Sequence, residues 1–313
     1  MSTYRTALPQ IHGDLFLTDG GIETSLIFDQ GLDLPVFAAY PLLDTDEGRQ
    51  ALRRYMLPYL AIAEDHGVGF VLETPTWRAN ADWGAQLGHD AAELDRVNRD
   101  AIAFAVATRN EGHVSGPVVI SGTIGPRGDG YVVEQVMTPA EAAAYHGAQI
   151  GTFADTDADL VTAMTMTTAA EATGVVLAAK QHSMPVVIGF TVETDGRLPS
   201  GEQLGDAIQA VDAATDSWCA YYMINCAHPT HFVDVLDPEQ PWTARIRSVR
   251  ANASTMSHDE LNEAEELDAG DMHDLADRYA SLRRRLPRIN VLGGCCGTDQ
   301  RHIAAIASAV AAG

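Results

Sequence analysis

The sequence predicts an α/β fold, a (β/α)8 TIM barrel, from three observations. Eight short apolar runs recur along the 313 residues, most of them separated by amphipathic stretches. Each run ends in small, polar or acidic residues, as strands ending at the active face of a barrel do. The first turn, Asp19-Gly20-Gly21-Ile22-Glu23-Thr24, is not the Gly-x-Gly-x-x-Gly of an open dinucleotide-binding sheet. Its two acids would repel a pyrophosphate.

Leu15-Phe16-Leu17-Thr18 is the first strand. Asp46 then caps a helix over Glu47 to Asp65, with Leu52, Tyr55, Met56, Tyr59 and Leu60 as its apolar face. Gly69 to Leu72 is the second strand, running into Glu73-Thr74, and a helix over Asp90 to Arg109 follows. Pro117 to Ile120 is the third. Thr138-Pro139, with Glu141 at the third helical position, opens a helix to about Ala154. Asp159 to Ala163 is the fourth strand, followed by a helix over Thr168 to His182. Pro185 to Phe190 is the fifth, followed by a helix over Ser200 to Thr215. Tyr221 to Ile224 is the sixth, running into Asn225-Cys226, and Arg245 to Val249 is a weaker seventh. A helix over Asp271 to Leu286 leads to the eighth, Asn290 to Leu292, which runs into Gly293-Gly294-Cys295-Cys296. A helix over Asp299 to Ala311 completes the pattern. Several runs are continuously apolar, as strands buried on both faces are.

No linker or composition shift divides the chain, so residues 1–313 read as a single barrel domain. Gly122 to Met137 reads as a long loop over the barrel mouth. The acidic stretch from Asn252 to Gly270 reads as a solvated face.

Charge narrows the partners. Twenty Lys and Arg face 43 Asp and Glu, a formal net charge of −23. Such a surface repels phosphate backbones and anionic lipid, so nucleic acid and membrane partners are not expected. Four cysteines are too few for a disulfide scaffold. Met1 to Gln10 lacks the apolar core of a secretory signal, and no apolar run approaches the ~20 residues of a spanning helix. These features predict a cytoplasmic protein. An oligomer is possible.

A barrel gathers its strand ends into one ring. Here that ring receives Asp19, Glu23, Glu73, Thr74, Ser121, Glu193, Asn225, Cys226, Asn252, Cys295 and Cys296. Cys226 and Cys295 are 69 residues apart, yet closure would bring their strand ends to one mouth. Three thiolates with an open fourth position describe a catalytic zinc site. Such a site suits a substrate thiol, which binds as fourth ligand and loses its proton. On spacing alone, a redox or nucleophilic cysteine pair and a set of inert buried thiols stay open beside it.

Ile224-Asn225-Cys226 and Gly293-Gly294-Cys295-Cys296-Gly297-Thr298 carry a resemblance to the homocysteine S-methyltransferase family, the zinc-dependent thiol methyltransferases. Glu73-Thr74-Pro75-Thr76-Trp77-Arg78-Ala79-Asn80 and Asp195-Gly196-Arg197-Leu198-Pro199-Ser200-Gly201 support it. The resemblance runs from Leu17 to the helix after Cys296. It implies one Zn2+ per chain, held by Cys226, Cys295 and Cys296. It implies methyl transfer from a small onium donor (S-methylmethionine, S-adenosylmethionine or a betaine) to a thiol, homocysteine giving methionine. It assigns Asp19 to the acceptor's ammonium, matches Glu73 and Thr74 to a Glu-Thr pair of the family, and lets Asn225 orient ligand or loop.

Two positions depart from the family pattern. Met164 stands where a glutamate is usual after the fourth strand, and a thioether cannot hold an ammonium by charge. Either Glu193 or another carboxylate takes that role, or the acceptor is a different thiol. Arg250 stands where the seventh strand usually has a tyrosine, and it meets either a substrate carboxylate or a ring acid. Trp77, Trp83, Tyr131 and Tyr222 are the aromatic candidates for an onium group, and Glu23 reads as a surface residue.

Overall fold

The computed structural model describes residues 2–133, 136–264 and 266–311. Eight parallel strands close a barrel in chain order. They are β1 (Phe16–Leu17), β2 (Gly69–Glu73), β3 (Val118–Ile124), β4 (Leu160–Met166), β5 (Val186–Phe190), β6 (Tyr221–Asn225), β7 (Ile246–Ala251) and β8 (Val291–Gly294). The seam is β1 on β8, with Phe16 opposite Val291 and Leu17 opposite Leu292. The longer helices are α1 (Asp46–His66), α2 (Ala91–Gly112), α3 (Pro139–Ala154), α4 (Ala169–Gln181), α5 (Leu204–Thr215), α6 (Met272–Arg285) and α7 (Gln300–Ala311). The β6–β7 crossover has only a one-turn helix, Pro229–Phe232, and short 3-10 turns.

Local chemistry sets the helix starts. Asp90 and Thr138 each form a reciprocal capping box, with Glu93 and Glu141. The cap of α1 is Thr45 rather than Asp46: the Thr45 hydroxyl accepts from the Gly48 N–H at 3.0 Å. Asp46 lies inside the first turn, where a carboxylate favours the helix dipole. Helix α5 starts at Leu204, later than expected from Ser200. The Ser200 hydroxyl donates to Glu202 at 2.7 Å, and Arg197 bridges Gln203, so this stretch is spent on a turn.

Two apolar layers result. Phe16, Val71, Val119, Leu160, Val187, Tyr221 and Val291 fill the barrel interior. A larger cluster packs the outward strand faces against the helices. Alternate residues of a strand share a face. Two steps beyond Val71 is Glu73; beyond Leu160 come Thr162 and Met164; beyond Tyr221 come Met223 and Asn225. The same period brings Ser248 and Arg250 inward on β7. The barrel interior is therefore apolar at its base and polar at the strand C-termini. Among the described residues, no helix is long and apolar enough to cross a membrane.

Candidate metal centre and substrate cavity

Cys226 follows β6, and Cys295 and Cys296 follow β8. Their three sulfurs lie within 4.8 Å of one another, and no other such group of His, Cys, Asp or Glu occurs among the described residues. Cys226 and Cys295 are joined as a disulfide, while Cys296 is free and half-buried. The pairing thus crosses the barrel mouth and does not join the adjacent cysteines. Cys219 is separate, its thiol donating to the Tyr221 carbonyl at 3.1 Å.

The backbone around the sulfurs is tightly held. Cys226 has φ 55°, a left-handed conformation that costs a non-glycine residue energy. Its N–H donates to the Arg250 carbonyl at 3.0 Å. Its own carbonyl accepts from Asn252 Nδ2 at 3.1 Å and His258 Nε2 at 2.6 Å. On the β8 side, a Cβ at Gly293 would collide with Thr18 Oγ1. Gly297, at φ 78°, turns the chain away after the second cysteine.

These donors fit zinc. Tetrahedral zinc holds thiolate sulfurs about 2.3 Å from the metal, hence roughly 3.8 Å apart, and the cluster spans that spacing. All three sulfurs can serve only when the Cys226–Cys295 pair is in its dithiol form. Burial pushes the Cys296 thiol up to about 11, so ionisation there calls for a cation beside it. The Tyr131 hydroxyl donates to Cys226 Sγ at 3.4 Å and lies 3.9 Å from Cys296 Sγ. The Tyr131 ring packs 4.3 Å from the His258 ring.

His258 is the functional neighbour that sequence reasoning missed. It lies in the acidic stretch read as a solvated face, yet it reaches the Cys226 carbonyl. Its Nδ1 faces Glu193 Oε1 at 3.0 Å. The signal was available: Ser257 and Glu260 form a capping box, which starts a helix at His258.

A cavity opens beside the sulfurs. Asp19, Glu23, Glu73, Thr74, Met164 and Arg250 line it, together with Trp77, Tyr131 and the three cysteines. Arg250 settles between its two readings by pairing with the ring acids. Its Nη1 lies 2.7 Å from Asp19 Oδ1 and also contacts Glu73 Oε2. The same nitrogen donates to Thr18 Oγ1 at 2.9 Å. Nη2 and Nε donate to the Gly20 and Gly294 carbonyls, each at 3.0 Å. Tyr55 donates to the other Asp19 oxygen at 2.9 Å. Burial raises the Glu73 carboxyl to about 7 while the guanidinium pulls it down.

The remaining expected residues divide. The Thr74 hydroxyl is spent on Thr76 Oγ1 at 2.7 Å and on the Thr123 N–H at 2.9 Å. Asn225 is wholly buried; its Oδ1 accepts from the Thr165 N–H, and its Nδ2 donates to Thr165 Oγ1, both at 2.9 Å. It therefore ties the end of β6 to the end of β4. Glu193 faces His258 and is not on the cavity wall. Trp83 stacks on Arg78 and Tyr222 is buried behind β6, so of the four candidates Trp77 and Tyr131 line the cavity, where Phe37 joins them. Glu23, counted in the ring of strand ends but read as a surface residue, lines the cavity half-buried, on the helical turn Ile22–Thr24.

Residues 16–310 match the model of the homocysteine S-methyltransferase family. Two similar solved structures are those of the homocysteine methyltransferase MmuM from Escherichia coli. Its metallated form is 18% identical, with 94% of this chain and 96% of that one covered at a TM-score of 0.74. Its oxidized form is 20% identical, with coverages of 96% and 98% at a TM-score of 0.77. No curated protein sequence matches the chain.

Proposed function

The chain belongs to the homocysteine S-methyltransferase family, and from that premise we propose that it moves a methyl group from a small onium donor to a thiol. The observation that carries this reading is the convergence of Cys226, Cys295 and Cys296 at the barrel mouth, beside a cavity. These three residues would hold zinc in their thiolate form. Zinc bound there supplies the Lewis acidity that lowers the pKa of an acceptor thiol.

The chain's own groups do the rest. The Tyr131 hydroxyl, donating to Cys226 Sγ, withdraws charge from one ligand sulfur and fixes its direction. Trp77, Met164 and Tyr131 make part of the wall apolar, which limits water around the reacting sulfur. The aromatic faces suit a sulfonium or quaternary ammonium. Alignment of the two substrates in one small cavity supplies the main rate gain. Homocysteine is the acceptor that the family resemblance implies, with methionine as product. Of the carboxylates lining the cavity, Asp19 and Glu73 are already engaged by Arg250.

The test uses reduced protein loaded with zinc. About one zinc per chain is expected, with a thioether formed from homocysteine or another small thiol. The donors offered are S-methylmethionine, S-adenosylmethionine and glycine betaine. Reduced protein that takes up no zinc would overturn the metal centre. Protein that holds zinc and methylates no thiol from any donor would overturn the transfer.

A further inference from the structure

We infer that Glu23 is the residue of this cavity that recognises the cationic centre of a substrate, a small organic ammonium or sulfonium. The inference rests on the methyl-transfer reading and names the group that would read substrate charge.

Three carboxylates line the cavity: Asp19, Glu23 and Glu73. Two of them are occupied. Asp19 takes the Arg250 guanidinium on one oxygen and the Tyr55 hydroxyl on the other. Glu73 takes the same guanidinium. A substrate cation would have to compete with a buried arginine that two backbone carbonyls also hold in place.

Glu23 is different. Among the described residues its carboxylate has no side-chain partner, and its one hydrogen bond is to its own backbone N–H. Asp19, Arg78 and Arg250 act on it through space, and none makes an ion pair with it. Arg78 is held against the rings of Trp77 and Trp83, at 4.3 and 3.4 Å. Glu23 also acts through space on Cys296, so its charge sits near the sulfur cluster. Burial raises the free carboxyl to about 7, which is the cost that a bound cation would relieve. A carboxylate on the cavity wall with no ion pair is a receptor for a cation. Met164 removes any competing charge from the β4 wall.

The cation has two possible sources, the donor's onium centre and the acceptor's ammonium. Calorimetric titration of reduced, zinc-loaded enzyme separates them. The probes are tetramethylammonium, trimethylsulfonium, L-homocysteine and 4-mercaptobutanoate, which is homocysteine without its amino group. Glu23→Gln is expected to weaken a cationic probe by about tenfold or more, with 4-mercaptobutanoate unchanged. A loss confined to tetramethylammonium and trimethylsulfonium assigns Glu23 to the donor. A loss confined to homocysteine assigns it to the acceptor. Glu23→Asp keeps the charge and is expected to retain most of the affinity.

Wild-type protein that binds none of the three cationic probes would overturn the inference. So would unchanged binding of all of them in Glu23→Gln, or equal losses in the Gln and Asp variants. The methyl-transfer reading fails separately, through wild-type zinc content and thioether formation. The two onium probes report on Glu23 whether or not that reading stands.

Discussion

Arg250 Nη1 lies 2.7 Å from Asp19 Oδ1, and both side chains are buried. Glu73 shares the same guanidinium nitrogen. One arginine therefore bridges two carboxylates inside the barrel. Arg250→Met would leave both charges buried and unpaired. The expected loss is about 3–5 kcal/mol of stability, read by urea unfolding. Adding Glu73→Gln should restore part of it. A loss below about 1 kcal/mol in the single variant would mean the cluster relaxes into solvent.

Metal uptake is expected to depend on the redox state of one pair. Cys226 and Cys295 are joined, and a disulfide sulfur is no longer a thiolate ligand. Protein reduced and then freed of reductant should take up zinc; protein oxidised first should not. Cys226→Ala, Cys295→Ala and Cys296→Ala should each lose tight zinc binding and keep the barrel's circular dichroism. Cys219→Ser should keep its zinc, because that thiol lies away from the cluster. Full zinc binding by Cys296→Ala would remove that residue from the ligand set.

Tyr131 supplies the described side-chain hydrogen bond to a cluster sulfur. Tyr131→Phe keeps the ring against His258 and removes only the hydroxyl. Zinc affinity, measured by competition with a chelator dye, should fall by about tenfold. An unchanged affinity would assign Tyr131 to shaping the cavity alone.

Asp299, just before α7, accepts from the Arg301 N–H at 2.8 Å and Arg301 Nε at 2.9 Å, and its Oδ1 lies 3.1 Å from His302 Nδ1. These donors hold its carboxyl well below the usual carboxylate range, against the opposing effect of burial. The folded pKa is depressed, so the unfolded chain binds the proton more readily. The stabilisation is complete above the ordinary value of 3.8 and drains away as pH falls through the folded value. The stability gap between wild type and Asp299→Asn should be widest at neutral pH and shrink once pH drops below about 4. A gap that is constant from neutral to acid pH would show that the charge contributes nothing.

Much of this protein was readable before its coordinates. The strand positions followed from continuous apolar runs, since a strand buried on both faces has no polar side to interrupt it. The cap at Thr138, with Glu141 three residues on, marked a helix start because it satisfies the free N–H groups of a first turn locally. The cysteine cluster was readable for a topological reason: a closed parallel barrel brings all strand C-termini together. What escaped were relationships decided by side-chain direction. Glu23 sits three residues before a half-buried apolar run and has no local signal of facing a cavity. Asn225 reads as a polar strand end, and only the β4–β6 juxtaposition turns it toward Thr165.

The sequence by itself determined the barrel, the three cysteines at its mouth and the acids around them, because each is set by period, spacing and local hydrogen bonding. Only the tertiary structure decided which of those acids stay available. Arg250 comes from β7 and reaches across the interior to Asp19 after β1 and Glu73 at the end of β2. That pairing depends on closure and inward register, which no local pattern encodes, and it leaves Glu23 as the cavity carboxylate without a counter-ion in contact.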